Sequence, residues 1–312
     1  MKKLLTLPIV MVIGVVVIAT LFILPKFIDN NNSTELTIDE IDEISKSIAA
    51  VSCPDVNSPE VPHLFGSGSY LRLHDGQGSD YARPVLVTNA HVAQNSIFSS
   101  TNPKNAKGQC YVSFNHMFDD GFTLDDEGFT FTVYDDTTTL TEFIDIALLI
   151  SRFYELATAG SILQRENNNP YPFCENINSG KRVYIFGYPG AAETQYPPFE
   201  KVFDNTAAYE EHLELINEFN KKRNLIVTEG IISGESEYGY FTSAKLDSGV
   251  SGGLVVAKEN GTPCLVGIPT AASIGEFENL GVIQPISNIY DENINWHKLM
   301  KQWKDELEGL LN

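Results

Sequence analysis

"DSGVSGGLVVA", residues 247–257, decides the fold, because the residues after its serine separate two architectures. A serine among glycines is either an exposed nucleophile beside converging backbone N–H groups or a flexible turn. The esterase arrangement G-x-S-x-G needs a helix directly after the nucleophile. Here "GGLVVA" comes after Ser251, an apolar run rich in β-branched residues that reads as a strand. A secreted esterase on an α/β scaffold is therefore disfavoured, and an all-β body is expected.

The rest of the chain has the same texture. "SIAAVSC", "SYLRL", "PVLVTNAHV", "CYVSF", "FTFTVY" and "IDIALLI" are short apolar or alternating runs broken by Gly, Asn and Asp. After the Pro/Asn-rich interval near residues 165–175 come "RVYIFGYPG", "LIVTEGIIS", "GYFTSAKL", "GLVVA", "CLVGIPTAAS" and "GVIQPIS". Short strands at this spacing make sandwiches or barrels rather than βαβ units. The interval divides them into two β domains, residues 46–170 and 171–290. A helical insertion is expected over residues 205–224, where Tyr209, Leu213, Ile216 and Phe219 share one face; it reads as surface decoration on a barrel, with gating of the cleft as the competing reading. Residues 291–312 form a C-terminal helix whose Trp296, Leu299, Trp303, Leu307 and Leu310 make an apolar stripe that caps the second domain.

Residues 1–26 stand apart from this body. Two lysines precede a run without charge over residues 4–24. At about 1.5 Å per residue it extends roughly 31 Å, enough to span a hydrocarbon core. Its orientation places the remainder outside the membrane. A cleaved signal peptide, which would release the body as a secreted protein, is the competing reading. Residues 27–45 are expected to be a polar tether with a short helix at 38–44. Four cysteines, Cys53, Cys110, Cys174 and Cys264, suit an oxidising compartment and allow three pairings. The formal charge of −20 argues against a nucleic-acid partner. The acidic loop at residues 118–128 lacks the spacing of an EF-hand, no C-x-x-C pair is present, and neither a metal nor a cofactor is expected.

Three pieces carry chemistry together: His91 in "VTNAHV", Asp145 in "FIDIALLI" and Ser251. A serine hydroxyl is a weak nucleophile at neutral pH and needs a base to take its proton. Imidazole is the natural base, and a carboxylate on its other ring nitrogen fixes the tautomer and stabilises the imidazolium. His and Asp adjoin strands of the first domain and Ser lies in the second, so the three meet in a cleft between barrels.

These motifs, in this order, resemble those of trypsin-like (chymotrypsin-fold) serine proteases, and among them the bacterial HtrA/Deg-type branch. "LVTNAHV" resembles its histidine motif, "DIALL" its aspartate motif, and "GSG" at residues 66–68 the turn opening an early hairpin. "FGYPG", "VTEGIIS" and "VGIPT" are similar to its second barrel. The resemblance covers about residues 47–290. It implies two six-stranded antiparallel Greek-key barrels and an endopeptidase acting on protein or peptide substrates through an acyl-enzyme. It also implies His91 as general base, Asp145 as its orienting acid and Ser251 as nucleophile. Gly249 and Ser251 N–H would form the oxyanion hole, Thr270 would support Asp145, and residues 270–272 (Thr270, Ala271, Ala272) would pair with substrate.

The departures are as informative. HtrA-type enzymes usually carry a C-terminal PDZ domain, and this chain is expected to lack one. By register Lys245 would lie at the base of the primary pocket, with Ala272 and Gly281 leaving its walls open; the competing reading points Lys245 to solvent. Val250 replaces the aspartate that, in the digestive branch, pairs with an N-terminus freed by cleavage, so that activation route is excluded. A non-catalytic binding or chaperone-like module on the same fold is the alternative from a different class, and the intact triad weighs against it.

Overall fold

The computed structural model describes residues 33–54, 63–74, 82–94, 107–114, 129–140, 144–151, 171–190, 215–216, 218–237, 239–272 and 280–290. The apolar run at residues 4–24, the acidic loop at 118–128, most of the insertion and the C-terminal helix lie outside them. Among the described residues no helix is long and apolar enough to cross a membrane.

Helix α1 (Ile38–Ser45) leads into the first barrel, built from β1 (Ile48–Pro54), β2 (His63–His74), β3 (Ala82–Thr88), β4 (Lys107–Ser113), β5 (Phe129–Leu140) and β6 (Asp145–Ser151). A single helical turn, α2 (Ala90–Ala93), follows β3. The second barrel comprises β7 (Arg182–Gly187), β8 (Ile226–Ser236), β9 (Gly239–Thr242), β10 (Leu254–Glu259), β11 (Thr262–Ala272) and β12 (Gly281–Pro285). Both sheets are antiparallel and closed, in the orders β1-β2-β3-β6-β5-β4 and β7-β8-β9-β12-β11-β10. Each barrel thus repeats one topology, in which the third strand returns beside the sixth as in a Greek key. Each of the apolar runs in the sequence overlaps one strand.

Strand alternation explains why some of the runs are apolar on both faces. In β1, Ala49, Val51 and Cys53 point into the first barrel, while Ile48 and Ala50 face outward into a second core. In β7, Val183 and Ile185 fill the second barrel, and Tyr184 and Phe186 join that same outer core. The outer core draws residues from both barrels, including Val87, Leu148, Leu254 and Ile268, so it is the interface that holds them together. A disulfide staples each barrel: Cys53–Cys110 ties β1 to β4, and Cys174–Cys264 ties the lead-in of the second barrel to β11.

Three expectations need correction. Residues 33–45 are docked on the body instead of forming a free tether. Leu36 and Ile44 are buried in the interface core, Thr37 and Glu40 make a reciprocal capping box on α1, and the buried Lys258 donates to Glu40 Oε2 at 2.8 Å. Apolar residues among the acids drive this docking, and composition alone hides them. The "GSG" at residues 66–68 is mid-strand, with Ser67 opposite Ala50, and opens no turn. His91 lies not at the end of an apolar strand but in α2, after β3 has stopped at Thr88.

Candidate active site

Asp145 opens β6, and α2 brings His91 back over it. The carboxylate is engaged on both oxygens. Oδ1 accepts the His91 backbone N–H at 2.9 Å, and Oδ2 lies 2.6 Å from His91 Nδ1. Oδ2 also accepts the Thr270 hydroxyl at 2.5 Å. The Asn89 side chain donates to the Asp145 carbonyl at 2.8 Å, fixing the backbone beneath the acid. Burial alone would raise the Asp145 carboxyl, but the His91 side chain, the Thr270 hydroxyl and the His91 N–H together hold it below the ordinary carboxylate range. A carboxylate facing Nδ1 assigns the ring proton to that nitrogen and leaves Nε2 as the acceptor. The His91 side chain is 41% exposed, so Nε2 is within reach of a substrate, while Asp145 is 14% exposed.

Thr270 joins this pair to the serine. Its hydroxyl holds Asp145, and its carbonyl accepts the Ser251 hydroxyl at 3.3 Å. The Ser251 hydroxyl is thus turned to Thr270 O, and redirecting its proton toward Nε2 is the step that would engage His91.

The serine loop is shaped by its backbone. Gly249 has φ of +91° and Gly252 of +88°, conformations open to glycine at little cost. A side chain at either would also collide with backbone, at Gly190 or at Ser67. Gly190 N donates to Ser248 O at 2.5 Å, Gly253 N to Val250 O at 3.0 Å and Gly252 N to Pro269 O at 3.0 Å. Because a trans peptide aims its N–H opposite its C=O, fixing Ser248 O and Val250 O turns the N–H groups of Gly249 and Ser251 away from those partners. Among the described residues neither of those two N–H groups donates a hydrogen bond. The Val250 side chain is buried in the second barrel's interior and packs there, while its backbone N–H donates to Asp247 O at 3.1 Å.

Two residues given no role by the sequence hold this loop. Ser67, buried in β2, accepts from Tyr188 N at 2.7 Å, donates to Gly249 O at 2.8 Å, and its own N–H reaches Ser251 O at 2.7 Å. Arg223 reaches Gly249 O at 3.4 Å and Pro189 O at 3.4 Å. Ser67 entered the sequence reading only as the middle of "GSG", taken there for a turn, and Arg223 was not singled out, although it falls seven residues after Ile216, on the face that Ile216 and Phe219 share. That arginine on an apolar stripe was the available signal. The end of the insertion is not surface decoration, since Ile216, Phe219, Asn220 and Arg223 are all buried.

The expected specificity residues fare differently. Lys245 is 79% exposed and pairs with Asp247 at 2.8 Å, so it is not the floor of a pocket. A lysine next to an aspartate keeps both its hydration and its partner at the surface, whereas burial would remove the first. The wall at Gly281 is not open either, since a Cβ there would meet Leu246, which fills that space. The backbone of Ala271 and Ala272 pairs with Val282 and Gly281 on one edge of β11, while β10 pairs with β11 only over Thr262–Gly267. The β10-side edge at residues 270–272 is therefore not covered by β10. Cys174, Glu259 and Cys264 cluster closely, but the two cysteines form a disulfide and offer no thiolate to a metal.

The sequence profile of the trypsin-like peptidase domain matches residues 66–268, which take in His91, Asp145 and Ser251. Among solved structures, that of the Rv3671c protease in an inactive form is similar, with 16% identity, coverage of 80% of this chain and 88% of that one, and a TM-score of 0.42. No curated protein matches significantly.

Proposed function

Because the chain belongs to the trypsin-like peptidase domain family, we propose that it is a serine endopeptidase in which Ser251 attacks the scissile carbonyl. His91 Nε2 takes the hydroxyl proton as the Oγ–C bond forms. Asp145 stabilises the resulting imidazolium, and the tetrahedral oxyanion is received by the N–H groups of Gly249 and Ser251. His91 then returns the proton to the leaving amine, the C–N bond breaks, and an acyl-enzyme remains. Water, activated by the same imidazole, adds to the ester and releases the acid. The uncovered edge of β11 at residues 270–272 would receive the substrate backbone as an added strand.

The observation that carries this reading is the double use of Thr270. One residue grips Asp145 through its hydroxyl and Ser251 through its carbonyl, which brings acid and nucleophile from different barrels to one point. The two disulfides support an oxidising compartment for the body. With the apolar run at residues 4–24, they support a peptidase tethered on the outer side of a membrane. The motif resemblance supports the HtrA/Deg-type branch.

A fluorophosphonate probe tests the reading directly. Wild-type protein is expected to be labelled covalently and Ser251→Ala to remain unlabelled. A folded wild-type protein that resists the probe and cleaves no peptide would overturn the enzyme and favour a binding module on the same fold.

A further inference from the structure

Arginine is rarely buried, because its guanidinium must find several acceptors at once to replace water. Arg223 is only 4% exposed. Its donors go to main-chain carbonyls on three separate segments. Nη1 reaches Val51 O in β1 at 3.3 Å, Nε reaches Pro189 O at 3.4 Å, and Nη2 serves both Tyr188 O, in a short contact, and Gly249 O at 3.4 Å. One side chain thus spans the first barrel, the segment after β7 and the serine loop. The guanidinium also lies 6.0 Å from the ring centroids of both Phe65 and Tyr188, where aromatic faces favour a cation.

The arginine is itself delivered by a fixed support. The insertion ends with Lys222 N donating to Phe219 O and Arg223 N to Asn220 O, a tightened last turn. Phe219 packs on Phe65 with ring centroids 4.7 Å apart, so the turn that presents Arg223 is seated on the first barrel.

We propose that Arg223 is a positioning residue for the oxyanion hole, and that through it the turn at residues 218–223 holds the serine loop in its reactive shape. The inference rests on the reading of Ser251 as nucleophile. The coupling runs through peptide planes. Holding the carbonyls of Tyr188 and Pro189 places Gly190 N, which holds Ser248 O and so orients the Gly249 N–H. Holding Gly249 O, together with Ser67, fixes the next plane. The Val250 side chain holds the loop through apolar contact and its backbone bonds only within the turn, to Asp247 O and Gly253 N, so the contacts from Ser67 and Arg223 supply directional restraint from outside the loop. A lysine could keep the charge but not the planar fork that serves several carbonyls at once.

The test uses the full chain with Arg223→Met and Arg223→Lys, read by steady-state kinetics on a peptide substrate and by amide hydrogen exchange. In the Met variant kcat should fall about 100-fold, the scale of losing one oxyanion donor, with KM within about threefold. The Lys variant should lose about tenfold in kcat and again leave KM in place. In both, segments 186–190 and 247–253 should exchange at least about tenfold faster while β6 is unchanged, the mark of a local opening. A folded Met variant with kcat within about threefold of wild type would sink the idea. So would faster exchange spread evenly over both barrels, which marks a merely structural arginine. If the Met variant does not fold, the Lys variant decides, and a wild-type kcat there is equally fatal. If wild-type protein takes no probe, the reading of the site fails, and the exchange pattern alone decides whether Arg223 orders the loop.

Discussion

The two ends of the site are built by different means. At the acid–base end, the Asp145 carboxylate meets the His91 ring and the Thr270 hydroxyl, contacts that identify residue types, with one backbone N–H beside them. At the nucleophile end, the contacts run to main-chain carbonyls. Ser67 and Arg223, 182 and 26 residues from Gly249, grip an oxygen that any amino acid would offer. Chemistry that needs a charge or a proton must be written in side chains. Chemistry that needs two aimed N–H groups can be written in backbone shape and held from a distance. The two ends should therefore fail differently when broken.

The largest effect is expected from Asp145→Asn. The amide would turn an N–H toward His91 and favour the wrong tautomer, lowering kcat by about 10⁴ with little change in the fold. Steady-state kinetics and a thermal melt check this together. A loss of only about tenfold, or a collapse of the fold, would show that the acid end is not a separable catalytic unit.

Ser67→Ala should give a smaller and mixed effect. The variant leaves Tyr188 N and Gly249 O buried with one partner fewer, which destabilises by about 1–3 kcal/mol. It also loosens the serine loop, so kcat should fall by about 10- to 100-fold. Urea melts and kinetics measured side by side would separate the two components. If Ser67→Ala lost activity without stability, as Asp145→Asn should, the contrast between the ends would be gone.

The same contrast decides what was legible in the sequence. Strand positions were readable because the strands are short apolar or alternating runs, and those such as β1, β6 and β7 are apolar on both faces, one for the barrel interior and one for the interface. His91, Asp145 and Ser251 were singled out because the proposed chemistry needs those residue types, and Thr270 through the resemblance of its motif. Ser67 was not, since a serine in a strand looks like any polar residue until its partners are seen. The docking of residues 33–45 was hidden for a related reason: Leu36 and Ile44 are too few and too widely spaced among acids to signal burial. For Lys245 the sequence offered both a pocket floor and solvent, because register along the chain says nothing about which charges surround a side chain in space; the solvent reading holds. Its neighbour there is Asp247, which keeps it in solvent.

That docked segment yields the smallest effect, and its direction follows from linkage. Burial would raise the Glu40 carboxyl, but Lys258 and the Thr37 N–H outweigh this and hold it below its ordinary value of 4.5. Folded Glu40 therefore releases its proton more readily than unfolded Glu40. Its contribution to stability is complete above about pH 4.5 and is lost as pH falls through the lower folded value. Asp145 and Glu259 are shifted the same way, so the melting temperature should drop on acidification from about pH 5 downward. Glu40→Gln removes one member of this set. It should lower stability near pH 7 by about 1 kcal/mol, because Lys258 keeps the Glu35 carbonyl but loses its carboxylate. It should also flatten the acid limb while leaving kcat unchanged, since α1 touches no reacting group. Melting curves of both proteins between about pH 3 and pH 8 provide the check, with differences on the order of a few degrees. Superimposable acid limbs would mean that the Glu40–Lys258 pair contributes nothing to holding the segment on the body.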